Sequence, residues 1–186
     1  MIKITGGKFK SKKLETISQF VRPTSSLKRE AFFSIIESYK LNDSNNSYEK
    51  KIFIDMFAGI GTMGLEAISR GFNRAIFYEN NQEVIRVLEK NCKKLCNNGQ
   101  YDIIHDDLLS SNFMINFDDI SIIYIDPPYN RYNIDKLLII LQNRINKNTI
   151  IGVESSIKDS ISFPKKLKLI KQKKYGKTNL SILVLV

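Results

Sequence analysis

Ile52-Phe53-Ile54-Asp55-Met56-Phe57-Ala58-Gly59-Ile60-Gly61-Thr62-Met63-Gly64 starts as an apolar run and ends on glycines spaced Gly-x-Gly-x-x-Gly. The run predicts a strand over 52–56. Leu65, Ala67 and Ile68 then set a helical pattern that stops at Gly71, which predicts a helix over 62–70. A second strand, 74–79, carries Ala75-Ile76-Phe77-Tyr78 and ends in Glu79, twenty positions after Gly59. Strand, glycine loop, helix and an acid at that distance form the nucleotide-binding fingerprint of an open α/β sheet. The glycines permit a tight turn and close approach of backbone to ligand. The acid at the second strand's end can accept both hydroxyls of a ribose.

Asp55 bears on which nucleotide is bound. In a dinucleotide site the pyrophosphate lies over the glycine loop at the helix N-terminus. A carboxylate beside that loop would repel it. S-adenosylmethionine (SAM) has no phosphate and carries an ammonium and a sulfonium, which a nearby carboxylate favours. Asp55 therefore points away from NAD and towards SAM, although a loop or cap acid is the plainer reading of the residue.

A second motif lies downstream. Ile122-Ile123-Tyr124-Ile125 reads as a buried strand and runs into Asp126-Pro127-Pro128-Tyr129. Each proline fixes its own φ and keeps the residue before it out of the α region, so the turn is held extended. The prolines have no N–H, so the turn offers carbonyl acceptors and few donors. Asp126 adds a further acceptor and Tyr129 a flat aromatic face. Such a clamp suits a planar base with an exocyclic NH₂ group.

Around these motifs, strands and helices alternate. Residues 1–20 suggest a short hairpin or basic arm, and a helix with Phe32, Ile35 and Ile36 on its apolar face starts after Arg22-Pro23-Thr24-Ser25-Ser26. Asn42 to Ser47 reads as a linker. A helix over 81–96, ended by Asn97-Asn98-Gly99, precedes a strand over 101–105. Asp106-Asp107 and a short helix follow, then a strand over 120–125, a helix over 134–146 and a strand over 149–154. Two last strands, about 166–174 and 179–186, are joined through Tyr175-Gly176-Lys177. This order predicts an α/β fold: a Rossmann-like, mostly parallel sheet with helices on both faces and one antiparallel strand in a C-terminal hairpin. Ligands of such sheets bind at the carboxyl ends of the strands, and Asp55 to Gly61, Glu79, Asp106 and Asp126 to Tyr129 all fall there. We read residues 1–186 as a single domain: arm and helix 1–41, linker 42–51 and core 52–186.

The chain resembles the RsmD family, SAM-dependent methyltransferases of N2 of a guanine in bacterial 16S ribosomal RNA. The resemblance rests on Ile4-Thr5-Gly6-Gly7, Leu14, Arg22-Pro23-Thr24 with Arg29-Glu30-Ala31-Phe32-Phe33, Asp55 to Gly61, Gly64-Leu65-Glu66-Ala67, Ser69-Arg70-Gly71, Asp126 to Tyr129 and Tyr175-Gly176. It implies that Gly59 and Gly61 pack the methionine part of SAM, that Glu79 binds its ribose and that Asp106 faces its adenine amino group. Arg22 and Thr24 would fold over the cofactor, with Phe57, Asn80 and Asp107 completing its pocket. Asp126, Pro127, Pro128 and Tyr129 would be the catalytic clamp. Many members have Phe where this chain has Tyr129, and Tyr is common in adenine-modifying relatives. Adenine-N6 methylation of RNA or DNA thus stays open beside guanine-N2 methylation, although the chain is short for a separate DNA-recognition domain. A non-catalytic basic ribosome-assembly factor that binds RNA is a further alternative.

Composition sets the partners. The chain has 186 residues, enough for one good core. No apolar run reaches the roughly 18–20 residues that span a bilayer, and Met-Ile-Lys-Ile-Thr-Gly-Gly-Lys lacks a signal-peptide core. We expect a cytoplasmic monomer without a membrane partner. Cys92 and Cys96 read as packing thiols and His105 as a loop or edge histidine, so no metal is expected. The net charge of +10 is uneven. Residues 1–30 hold eight Lys or Arg against Glu15 and Glu30, and residues 160–186 hold seven Lys and no acid, so the middle is mildly acidic. Basic ends around an acidic core suit a polyanion, which the resemblance implies is 16S rRNA or the 30S subunit. A solvated lysine surface would give the same composition but not the missing acids.

Overall fold

The computed structural model describes residues 2–17, 25–40, 51–105, 120–128, 132–147 and 149–186. Seven strands are seen among them: β1 (Ile52–Asp55), β2 (Arg74–Tyr78), β3 (Tyr101–Ile104), β4 (Ile120–Ile125), β5 (Ile150–Ser156), β6 (Leu167–Tyr175) and β7 (Thr178–Leu185). The helices are α1 (Ser26–Lys40), α2 (Thr62–Ser69), α3 (Gln82–Leu95) and α4 (Ile134–Leu141). All strands join one sheet in the order β3-β2-β1-β4-β5-β7-β6. Neighbours from β3 to β5 are parallel, and β7 runs antiparallel to both β5 and β6. The expected mostly parallel sheet with one reversed strand is what forms. The strand order turns back between β1 and β4, and such a switch point opens a crevice at the strands' carboxyl ends.

The central strands are apolar on both faces because both faces are covered. Phe53 points to one side, where it joins Phe32 and Phe33 of α1, Leu65 and Ile68 of α2, and Leu88 of α3. Ile54 points to the other, against Leu138 and Leu141 of α4. The buried face of α1 is Phe32, Phe33 and Ile36, with Ile35 only half-buried. Phe33 takes the place expected for Ile35 because its ring stacks on Phe53 at 6.0 Å, while Phe32 meets Phe53 edge-on at 6.4 Å.

Several boundaries differ from expectation for local reasons. Asn81 caps α3 instead of opening it: its side chain accepts from the N–H groups of Glu83 and Val84. The helix ends at Leu95 because Cys96 is already extended, before Asn97-Asn98-Gly99. α4 stops at Leu141, not 146. Past it the chain runs in turns, and the Asn143 side chain bonds the Ile139 carbonyl, the local competition that asparagine offers a helix. β5 continues to Ser156 because β7 pairs with it as far as Ser156–Thr178. The N-terminal segment is a hairpin around a 3₁₀ turn, Gly7–Phe9, with Lys3 opposite Lys13. The expected linker core 42–47 and the short helix after Asp107 lie outside the described residues. No helix among the described residues is long and apolar enough to cross a membrane.

Candidate active site

Gly61 caps α2 with φ of +88°, a left-handed value that glycine adopts at little cost. Gly64, one turn on, packs so near β2 that a Cβ there would stand 2.2 Å from Phe77 Cε1. The glycine motif thus has two jobs, turning the chain and letting α2 approach the sheet.

Two carboxylates hold the loop in place. Glu79 Oε2 accepts from the Gly59 N–H at 2.9 Å, and its Oε1 accepts from the N–H groups of Asn80 and Asn81, each at 2.9 Å. Glu79 is half-buried, so the predicted ribose acceptor also pins the glycine loop to the entry of α3. Asp55 is only 2% exposed and accepts from the Gly64 N–H at 3.2 Å. Burial pushes its pKa up to about 7; the nearby charges of Asp126 and Glu79 push the same way, against the hydrogen bonds from Gly64 and Phe57. Asp55 lies behind the loop rather than open beside it, and holds a proton in part at neutral pH.

The rim of this crevice is polar and aromatic. Phe57, between β1 and α2, meets the Tyr132 ring edge-on at 4.8 Å. Asn80 donates its side-chain N–H to the Tyr132 hydroxyl at 3.2 Å. His105, at the end of β3, bonds the Asn80 carbonyl through Nε2 at 3.0 Å, which makes Nε2 the protonated nitrogen. Tyr132 therefore links the segment after β4 to those after β1 and β2.

Asp126 and Pro127 follow directly from β4; Asp126 is half-buried, Pro127 buried and Pro128 exposed. Ile125 pairs with Val153, so Asp126 and Glu154 come next on neighbouring strands. Glu154 is buried, accepts a hydrogen bond from the Tyr124 hydroxyl and forms an ion pair with Lys28 of α1. The Tyr124 hydroxyl is driven well above its ordinary pKa by burial and then by Glu154, Asp126 and Asp55, and stays neutral. Asp55, Glu79 and Asp126 thus stand at the ends of β1, β2 and β4, with Glu154 beside Asp126 on β5.

The structure brings together Asp55, Phe57, Gly59, Gly61, Glu79 and Asn80, and sets Asp126, Pro127 and Pro128 on the adjoining strand. Arg22, Thr24, Asp106, Asp107 and Tyr129 lie outside the described residues. Sequence reasoning missed Glu154, Tyr124, Tyr132 and Lys28. Glu154 was within reach of the rule that picked out Glu79, an acid at a strand's carboxyl end. Lys28 carries no local signal, because only the docking of α1 brings it to β5.

A strand-ordered sheet of this kind, with its glycine loop after β1 and acids along the crest, is the frame of the Rossmann-like SAM-dependent methyltransferases. A model of the family described as "Conserved hypothetical protein 95" matches residues 2–184, and the chain belongs to that family, the RsmD family. It is 34% identical over 155 residues to "Ribosomal RNA small subunit methyltransferase D" of Buchnera aphidicola subsp. Acyrthosiphon pisum, spanning 82% of this chain and 76% of the relative. The Haemophilus influenzae protein of the same name is 28% identical over 184 residues, with 94% and 89% covered. Among solved structures, yhhF of Escherichia coli superposes with a TM-score of 0.79 at 23% identity, covering 99% of this chain and 97% of that one. An RNA methyltransferase from Salinibacter ruber in complex with S-adenosyl-L-homocysteine superposes with a TM-score of 0.63 at 11% identity, with 88% and 94% covered.

Proposed function

We propose that this protein transfers a methyl group from SAM to the exocyclic N2 amine of a guanine in the 16S rRNA of the small ribosomal subunit, releasing S-adenosylhomocysteine and, from the amine, a proton. The observation that carries the reading is the meeting of Glu79, the glycine loop and Asp126-Pro127 at the ends of three adjacent strands, β2, β1 and β4, in a chain with relatives named ribosomal RNA small subunit methyltransferase D. The donor set fits SAM. Its crest is rich in acceptors, and Asp126 and Glu79 lie close enough to Asp55 to raise its proton affinity. A cationic ligand relieves that repulsion, whereas a pyrophosphate would add to it.

Bound SAM supplies an electrophilic methyl on a sulfonium. The chain's own residues do the rest by placement. Glu79 Oε2, which accepts from Gly59 alone, offers its remaining lone pair to a ribose hydroxyl, while the Gly59 and Gly61 backbone leaves room for the methionine part. Asp55, buried behind the loop, ionises as the cation binds in front of it. The Asp126 carboxylate and the Pro127 carbonyl accept the two amine hydrogens of the target base, which frees a nitrogen lone pair otherwise delocalised into the ring. Tyr129 stacks on a base that has left its own stack. Positioning of this kind lowers a barrier by up to about 7–11 kcal/mol.

Labelled SAM offered with unmodified 30S subunits, naked 16S rRNA and duplex DNA, followed by nucleoside digestion, tests the reading. N2-methylguanosine from rRNA or subunits is expected, and the better substrate identifies the assembly state that is recognised. N6-methyladenine would replace the target base and keep the clamp. SAM binding without transfer to any of the three would overturn the substrate.

A further inference from the structure

We propose that one face of the edge strand β6 is the docking surface for the phosphate backbone of the RNA, leading away from the clamp. The inference rests on the rRNA reading above and gives that site its partner surface.

The carrying observation is a register shift. Leu169 lies opposite Leu183, yet Lys171 lies opposite Ile182, so β6 has one extra residue, Ile170. Strict alternation from Lys168 would place Ile170, Gln172 and Lys174 on its face. The bulge resets the alternation, as bulges do. Lys168, Lys171 and Lys173 now stand opposite Val184, Ile182 and Leu180, alternate residues of β7 that all pack into the core on the α1 side. Three lysines therefore share one face at a regular step of two residues of the partner strand β7, about 7 Å. All three are exposed, and among the described residues none has a carboxylate within ion-pair distance.

The row also points at the site. Leu180 pairs with Lys173 on one side and with Glu154 on the other, so Glu154, Leu180 and Lys173 form a line across β5, β7 and β6. Two strand spacings put Lys173 about 10 Å from Glu154, and Asp126 is one strand further. β6 has the direction of β4 and β5, so its carboxyl end, with Lys174 and Lys177 at the turn, lies at the same crest as the clamp. The clamp's crest is acidic and would repel a polyanion, whereas this edge is basic and lies beside it. An edge strand needs some charge to prevent edge-to-edge pairing, but a bulge and one or two lysines suffice for that, and edge protection does not require the face to be free of acids.

The test compares the wild type with two variants of equal charge change: Lys168→Gln/Lys171→Gln/Lys173→Gln on β6, and Lys90→Gln/Lys93→Gln/Lys94→Gln on α3, which packs towards the opposite edge of the sheet. Dissociation constants for the rRNA substrate are measured as a function of KCl, alongside SAM affinity as a check on the fold. A single strand loses about 0.7 in salt slope per phosphate released. The β6 variant is expected to have a slope shallower by about two and at least tenfold weaker binding at low salt, with SAM affinity unchanged. The α3 variant should keep the wild-type slope, and Lys→Arg replacements on β6 should restore it. An unchanged slope for the β6 variant, or equal changes in both variants, overturns the surface. If the triple variant aggregates, Lys173→Gln alone decides, with an expected change of about 0.7. Wild-type protein that methylates rRNA while the β6 variant binds normally refutes only this surface; wild-type protein that neither binds nor methylates rRNA refutes the functional reading beneath it.

Discussion

Asp126 and Asp55 are both carboxylates at strand ends, but their surroundings set them to different tasks. Asp126 is half-buried beside Pro127, in the place we propose for the substrate amine. Replacing it with Ala should lower methyl transfer by about 10²–10³-fold, the usual cost of losing one preorganised partner in a site, with the SAM dissociation constant within about twofold in calorimetry. Equal loss of SAM affinity and turnover would assign Asp126 to the cofactor instead. Asp55 is sealed behind the glycine loop with a pKa of about 7. Its folded pKa lies above the unfolded value, so its contribution to stability is complete below about pH 4 and declines as pH rises through 7. SAM binding has the opposite sign, because the cation favours the ionised form. Affinity should fall as pH drops below 7, and binding at neutral pH should release a fraction of a proton. Calorimetry in buffers of different ionisation enthalpy measures that proton, and Asp55→Asn should abolish its release.

At the scale of elements, the glycine loop is a packing device, whatever it holds. Gly64 lets α2 lie against Phe77 of β2 with no room for a methyl group. Gly64→Ala should destabilise the fold by about 1–3 kcal/mol through overpacking, read as a lower urea midpoint at unchanged m-value. Shortening the ring in the double variant Gly64→Ala/Phe77→Leu should recover part of the loss; no recovery would place the strain elsewhere. The glycine spacing and Glu79 were legible in the sequence because a strand-turn-helix unit is local. The end of α4 was not, because Ile145, beyond its last turn, is buried and keeps the helical spacing although the helix stops at Leu141.

For the whole molecule, the N-terminal hairpin is tied to the core through Glu66 of α2. This fully buried carboxylate accepts from the Thr5 N–H and hydroxyl, each at 2.8 Å, from the Gly6 N–H at 2.7 Å and from Arg70 Nε at 3.0 Å. Arg29 of α1 lies 3.8 Å away, and burial lowers its pKa. One side chain therefore joins the hairpin, α1 and α2. Glu66→Ala should cost about 3–5 kcal/mol, the penalty for stranding buried cationic partners. Denaturation measures the total, and hydrogen exchange should show the Thr5 and Gly6 amides losing protection first. Retained protection at those amides would mean that the hairpin packs without Glu66.

What the sequence by itself determined is what short-range physics controls: the alternation of strands and helices, the glycine turn with its acid twenty residues on, and the rigid Asp-Pro-Pro segment. Each depends on neighbours in the chain, so composition and spacing reveal it. Only the tertiary structure decided that Asp55 is buried and partly protonated, that Lys28 and Tyr124 hold Glu154 beside Asp126, and that a bulge gathers three lysines on one face of β6. These depend on burial, strand register and helix docking, which arise from residues up to 126 positions apart and leave no local pattern.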